Sequence, residues 1–362
     1  MNDRVANLDR PTPLKWAPRL ADSPTAIIFP PASSLIPIRP PKSRFGMKNF
    51  ALIGLAGYIA PRHLEAISAT GNRVVAAFDP HDSVGVADRF FPDADFFTEF
   101  ERFDRHAEKL RRLGEGRELH YVTICSPNYL HDSHIRFALR SGAHAVCEKP
   151  LVLNPWNLDA LEKIEEETGK KVYTLLQLRY QPDLIQLKNQ IAGTSPAEKH
   201  EVELTYITGR GKWYRYSWKG DEVKSGGVAT NIGIHFFDLL TWIFGGVESA
   251  EVHLNDRDKA SGYLELERAR VRWYLSTDVN DLSEKQLSEG NRTFRSISVD
   301  GDEVEFSNYF TDLHTVVYEK VLEGIGPGIA EARSSISLAH RIRVAPICEP
   351  SRPSHRHPMV GA

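Results

Sequence analysis

The chain has 362 residues, enough for two domains that each bury a core of their own. Its hydrophobic fraction of 41%, charged fraction of 26% and net charge of −3 are ordinary for a globular protein and give no broad basic field for nucleic acid. Three cysteines, Cys125, Cys147 and Cys348, cannot build a disulfide framework and show no metal-ligand spacing, which fits a reducing cytoplasm; no apolar run is long enough to span a membrane.

The chain begins with a proline-rich stretch. Residues 1–46 hold nine of the 22 prolines, in runs such as Phe29-Pro30-Pro31. Such a stretch is expected to be extended or disordered. It carries Asp3 and Asp9 and has no unbroken apolar segment, so it does not read as a signal peptide. Met47 directly precedes the first good strand and is read as the true start, with 1–46 an upstream extension.

Residues 47–170 alternate strand and helix. Strands are expected at 50–54, 73–79, 119–125 and 144–148, and helices at 61–70, 100–112 and 130–141. Asn154-Pro155 is a helix start, with a capping residue and then a proline in the first turn, and Gly169 is its stop. Strands separated by helices predict a doubly wound parallel sheet. From Lys171 to residue 343 the pattern changes. Val202, Leu204 and Tyr206 alternate with polar residues, and similar strands are expected at 247–256, 262–276 and 293–306. Helices are expected at 182–192, 232–244 and 312–324. This predicts an α+β second domain with a largely antiparallel open sheet, the last helices packing back on the first domain. The tail, 344–362, is rich in Pro, Arg and His; it is expected to be irregular, with His355 and His357 in a disordered segment rather than holding metal.

The first strand ends in Gly54-Leu-Ala-Gly57-Tyr58-Ile59-Ala60. Glycines between strand and helix let a pyrophosphate approach, and the helix N-terminus offers it unpaired N–H groups. An ordinary strand–helix turn would look the same in isolation, but this is the first turn of a βαβ unit. Asp79 closes the second strand, where a carboxylate accepts from the adenosine ribose and repels a 2′-phosphate, favouring NAD over NADP. Ser126-Pro127-Asn128 follows the third main strand. His131 and His134 share a face of the next helix; without a third ligand they read as capping or surface residues rather than a metal site.

Glu148-Lys149-Pro150 ends another strand, on the side where open α/β sheets bind ligands. Oxidation of an alcohol by NAD needs a base for the hydroxyl proton, for which histidine suits, and a cation can stabilise the developing alkoxide. Lys149 can supply the cation. His235 and Asn231 are four residues apart, on one helical face; His235 can be the base or a satisfied histidine on a half-buried helix. The run Arg210 to Lys219 interleaves aromatics with cations, which suits a nucleotide sugar or a solvated loop. Gln177-Leu178-Arg179-Tyr180 is expected to end the first strand of the second domain, where Arg179 can clamp a carboxylate or pair with an acidic neighbour.

Together the glycine turn, Asp79, Ser126-Pro127-Asn128 with His131, Glu148-Lys149-Pro150 and the Asn231/His235 helix resemble the Gfo/Idh/MocA oxidoreductase family over about 47–343, with a Rossmann-type first domain. Within it, Ala51 to His63, Gln177-Leu-Arg179 and Gly209 to Lys219 are similar to the WlbA/WbpB branch. The resemblance implies NAD-dependent oxidation at C3 of UDP-N-acetyl-2-amino-2-deoxy-D-glucuronate, on the way to a surface-polysaccharide sugar. It further implies a cytoplasmic homotetramer, with 2-oxoglutarate recycling the reduced cofactor in some members. Carried over, Lys149 and His235 act at the reacting carbon. Gly54, Gly57, Tyr58, Ile59, Asp79, Ser126, Asn128, His131, Glu148 and Lys149 hold the cofactor. Arg179, Lys219, Asn231 and His235 meet the substrate, and no metal takes part. The family usually has aspartate where Asn231 stands, so an Asp–His dyad is excluded there; Gln181 replaces a histidine common in the branch. A free polyol or aldose as substrate, or an NAD-sensing regulator without catalysis, are the competing readings.

Overall fold

The computed structural model describes residues 46–361 except 115, 196 and 305–312; the expectations for residues 1–45 lie outside the described residues. Six strands form the first sheet: β1 (Asn49–Ile53), β2 (Arg73–Phe78), β3 (Asp95–Phe97), β4 (Tyr121–Ile124), β5 (His144–Cys147) and β6 (Val172–Thr174). They are parallel throughout, in the order β3-β2-β1-β4-β5-β6. Helices α1 (Ala60–Ala69), α2 (Phe100–Leu113), α3 (His131–Arg140) and α4 (Pro155–Thr168) are the crossovers. Every residue of β1 and β4 is buried, as a sheet covered by helices on both faces requires. The chain steps outward from β1 to β3, then returns to add β4 on the other side. The crevice beyond the carboxyl ends of β1 and β4 is therefore the topological switch point.

Two sequence expectations need correction here. β6 joins the first sheet by pairing with β5 (Ala145↔Val172), so that sheet runs past residue 170. Gln177–Tyr180, read as the end of a second-domain strand, is a 3-10 turn after β6. β3 was not anticipated: it is a three-residue edge strand with no fully buried position to give a hydrophobic signature. Gly169 does end α4, with φ of 65° and its N–H bonded to the Glu165 carbonyl. Asn154 starts that helix without a side-chain cap bond; its oxygen accepts from Arg343 instead.

The remaining helices are α5 (Pro182–Gly193), α6 (Lys212–Tyr216), α7 (Glu222–Ser225), α8 (Gly227–Asn231), α9 (Ile234–Phe244), α10 (Glu284–Ser288), α11 (Leu313–Leu322) and α12 (Ile329–Val344). The second sheet contains β7 (His200–Thr208), β8 (Val247–Asn255), β9 (Lys259–Leu266), β10 (Ala269–Ser276), β11 (Thr293–Val299) and β12 (Asp302–Glu303), in the order β12-β11-β7-β10-β9-β8. Among the described residues of this sheet, only β7 and β10 pair in parallel. The expected strand 262–276 is really two strands, β9 and β10, which reverse at Glu267-Arg268. Asp300 and Gly301, both at positive φ, turn β11 into β12 as a two-residue hairpin demands.

α9 lies on one face of this sheet. Phe237 meets Trp273 edge-on at 5.4 Å, and Phe236 packs on Tyr206. α11 lies against α1, and α12 against both α4 and α9; the sequence reading named no helix over 329–344. The opposite face carries a surprise. Residues 345–361 are irregular, as expected, but they are docked. Cys348 N–H bonds to the Val252 carbonyl, and Ser351 to Glu251. His355 stacks on Tyr263 at 3.6 Å, while His357, 1% exposed, stacks on Tyr274 and bonds Thr205. Aromatic stacking and buried hydrogen bonds hold a segment whose composition alone reads as disordered.

Candidate active site

The Gly54 turn is tailored by its neighbours. Gly54 has φ of 91°, and a Cβ there would stand 2.6 Å from the Cys125 carbonyl carbon. The turn after β1 and the end of β4 thus touch, which only glycine allows. Gly57 donates to the Gly54 carbonyl, and a Cβ on it would lie 3.0 Å from that oxygen. Asp79 is 5% exposed; one carboxylate oxygen accepts from Ala56 N–H and the other from His81 N–H, pinning the end of β2 to the turn. No side chain caps α1, but Ala60 and Arg62 N–H already bond the Gly57 and Ile59 carbonyls and Pro61 has no N–H, so the N–H groups left for an anion are those of Tyr58 and Ile59, just before the helix. Tyr58 projects outward, 92% exposed.

The residues after β4 are braces. Ser126 Oγ bonds His134 Nδ1 at 2.8 Å. His131, 1% exposed, puts one ring nitrogen 2.7 Å from the Pro150 carbonyl and the other 2.8 Å from the Ser126 carbonyl. It therefore holds together two loops that border the crevice, instead of presenting a nitrogen to a ligand. Asn128 donates to the Ser225 carbonyl and to Asn231 Oδ1. Asn231 in turn donates to Tyr214 Oη at 2.7 Å. Its amide is thereby fixed between Asn128 and Tyr214, and no hydrogen bond joins it to His235 among the described residues.

Lys149 follows β5, and its ammonium donates to the Asn231 carbonyl at 3.3 Å. It shares a crevice of about 600 Å³ with His235, Asn231, Gln177, Tyr206, Arg210 and Arg295. Burial lowers the Lys149 pKa, opposed by Glu148 and reinforced by Arg210. His235 is held well below its ordinary value, first by burial and next by the Lys149 charge. It is thus a neutral imidazole at pH 7, able to take a proton beside an ammonium. Lys219 sits 4.3 Å over the Trp218 ring, its pKa lowered to about 8 by burial, Arg210 and Lys149. Among the described residues, none that lines the crevice is acidic.

Glu148, next to Lys149 in the chain, is engaged by two buried histidines. Its Oε1 accepts from His63 Nε2 at 2.9 Å and lies 3.5 Å from His314 Nε2. Burial would raise this carboxyl, but the two histidines hold it well below the usual range.

Arg179 departs from its expected role. Its guanidinium forks onto Asp238 at 2.9 and 2.7 Å and also donates to the Glu331 carbonyl. Asp238 is 2% exposed, and a buried carboxylate claims the cation that would otherwise reach a substrate. Gln181, fully buried, caps α5 by accepting from Leu184 N–H. Within the 210–219 run lies the short helix α6.

A family model described as an oxidoreductase NAD-binding Rossmann fold matches residues 48–175, and one described as the C-terminal alpha/beta domain of the same family matches residues 198–303. The chain belongs to the Gfo/Idh/MocA oxidoreductase family. The crystal structure of the WlbA (WbpB) dehydrogenase from Thermus thermophilus in complex with NAD and alpha-ketoglutarate is 54% identical; the match covers 87% of this chain and 100% of that one, with a TM-score of 0.83. The same dehydrogenase in complex with NAD and UDP-GlcNAcA matches at 53% identity with the same coverage and TM-score. Among curated proteins, the D-glucoside 3-dehydrogenase of Escherichia coli K12 is 29% identical over 136 residues, 36% of this chain and 38% of that protein. The chain thus spans well under two thirds of that relative.

As a Gfo/Idh/MocA member the chain is an NAD-dependent oxidoreductase, and the Gly54 turn with the Tyr58 and Ile59 N–H groups before α1 fits the cofactor's pyrophosphate. The sequence reading missed Arg210 and Arg295 as individual site residues, together with Tyr206, Gln177, His63 and His314. Arg295 lies on β11, where nothing in the local pattern sets it apart from a solvated strand arginine. His314 and Tyr318 are four apart on α11 and share its apolar face with Val317 and Val321, which was a usable signal.

Proposed function

We propose that this chain oxidises the C3 hydroxyl of UDP-N-acetyl-2-amino-2-deoxy-D-glucuronate to the 3-keto sugar with NAD. The observation that carries the reading is a crevice holding a neutral His235 beside Lys149, lined by Arg210 and Arg295 and, among the described residues, by no carboxylate. Such a chamber favours an anionic substrate, and a nucleotide uronate brings a diphosphate and a carboxylate. The similarity to the Thermus thermophilus dehydrogenase supports the same substrate.

In this mechanism NAD, when bound, supplies the hydride acceptor. His235 takes the hydroxyl proton, its depressed pKa keeping it unprotonated beforehand. Lys149 stabilises the charge that develops on the sugar oxygen, held in place by the Asn231 carbonyl. Asp79 selects NAD by repelling a 2′-phosphate. Arg210 and Arg295 replace Arg179 as the cations for the substrate's acidic groups, with Lys219 beside them. The reading extends to 2-oxoglutarate as the acceptor that reoxidises the bound cofactor, supported by that ligand in the related structure. Placement in a cytoplasmic homotetramer on the route to lipopolysaccharide sugars rests on the family resemblance.

The test is to follow nicotinamide absorbance while purified protein is offered UDP-hexuronates, neutral UDP-hexoses, inositols and free aldoses, with and without 2-oxoglutarate. Reduction with the UDP-hexuronate alone is expected. Equal or better turnover of a free polyol would reject the reading.

A further inference from the structure

The Asn231 side chain is neutral at a place where its neighbours could hold an anion. Asn231 ends α8, is 7% exposed and lines the reaction crevice. Its Oδ1 accepts from Asn128 Nδ2 at 3.3 Å, and its Nδ2 donates to Tyr214 Oη at 2.7 Å. Asn128 Nδ2 can only donate, which fixes the Asn231 oxygen on that side. Tyr214 Oη accepts here, yet a phenol hydroxyl can turn and donate, and its hydrogen has no other acceptor among the described residues. Both groups facing this side chain can therefore donate to a carboxylate of the same shape. Hydrogen bonding alone does not call for an amide at 231.

The charges around it supply the reason. The Asn231 carbonyl accepts from the Lys149 ammonium at 3.3 Å, so a charge on the same residue's side chain would stand close to that cation. Arg210 and Arg295 line the crevice together with Lys149, and among the described residues no carboxylate does. Glu148, adjacent to Lys149 in the chain, spends its oxygens on His63 and on the Lys149 backbone N–H. Aspartate at 231 would put a negative charge into that lining. We infer that Asn231 sets the charge preference of the crevice: its amide keeps the bonds to Asn128 and Tyr214 while adding no negative charge to a wall that must attract the carboxylate of an acidic sugar.

The assignment rests on the acidic-sugar reading and deepens it. Asn231 acts here as a specificity residue through the field that it leaves undisturbed, and it need not touch the sugar. At an effective dielectric of about 20, a like charge about 8 Å from the sugar carboxylate weakens binding by roughly 10- to 100-fold. A ligand without that carboxylate escapes this penalty. The effect therefore separates from a purely structural role, in which the bonds to Asn128 and Tyr214 shape the crevice and their loss harms every ligand alike.

The experiment compares two ligands that differ only at C6 of the sugar, UDP-N-acetyl-2-amino-2-deoxy-D-glucuronate and UDP-N-acetylglucosamine. Dissociation constants are measured calorimetrically on the full chain loaded with NADH, which cannot oxidise either one. Wild type is expected to favour the uronate, and the preference to shrink as salt rises from about 0.05 to about 0.5 M. Asn231→Asp is expected to lower the affinity ratio by about 10- to 100-fold, through the uronate, and to flatten its salt dependence. Asn231→Ala loses both side-chain bonds but adds no charge; it is expected to weaken both ligands and to keep the ratio. An unchanged ratio in Asn231→Asp would overturn the assignment. So would an equal loss of the ratio in Asn231→Ala, which would make hydrogen bonding rather than charge the cause. Failure of Asn231→Asp to fold would overturn it as well, because Asn128 and Tyr214 would then not accommodate a carboxylate. A wild type that binds the two ligands equally would strike the acidic-sugar reading itself, and the assignment with it.

Discussion

Lys149 and Arg179 look alike in sequence, each a lone cation beside a strand end or turn, and they have opposite fates. Lys149 makes one long bond, to a backbone carbonyl, and otherwise faces the crevice. Lys149→Ala is expected to leave NAD affinity intact and to lower kcat by about 100- to 1,000-fold, the usual range for removing one group that stabilises transition-state charge; stopped-flow reduction and NADH fluorescence check the two halves. Arg179 forks onto Asp238. Arg179→Ala would strand a buried carboxylate and destabilise the fold by about 3–5 kcal/mol. A chemical denaturation midpoint reads this, and an unchanged midpoint with a large rise in sugar KM would restore Arg179 to the substrate. His235 gives a pH prediction. Its acceptor form is the unprotonated one, present above its pKa, and that pKa is lowered from 6.5. kcat should therefore stay level as pH falls to 6.5 and decline only below it; a decline already centred at 6.5 or higher would contradict the depressed pKa.

Among elements, the first sheet was legible because its code is local. Buried runs such as Phe50–Ile53, the Asn154-Pro155 start and the Gly169 stop each act within a few residues. β6 and the β9–β10 hairpin were misread because their identity depends on partners: three buried residues become a strand only beside β5. The tail makes the same point more strongly. Its polar, proline-rich composition reads as disorder, yet Tyr263 and Tyr274 on β9 and β10 present rings to His355 and His357. His357→Ala, which removes a buried stack and the bond to Thr205, is expected to cost about 1–3 kcal/mol. Limited proteolysis offers a second readout, with cleavage after residue 345 faster in the variant than in wild type.

For the whole molecule, burial of neutral histidines links stability to acidity. His134, His144 and His357 are each lowered to about 4, in every case first by desolvation. Below pH 6.5 the unfolded chain binds protons that the folded chain refuses, so stability falls with pH. The melting temperature is expected to hold steady above pH 6.5 and to drop progressively toward pH 4; a level curve across that window would contradict the neutral burial of these rings. By itself the sequence determined the doubly wound sheet, the glycine turn and the place of Asp79 at a strand end, because turn geometry, strand burial and helix spacing act over short separations; it named Lys149 and His235 as separate candidates, and the tertiary structure brings them into one crevice. Only the tertiary structure decided that Arg179 belongs to Asp238, that Arg210 and Arg295 line the crevice, and that His63 and His314 converge on Glu148. Those pairings join residues 59 to 166 positions apart, and what a charged or polar side chain does is set by the partner that burial forces upon it.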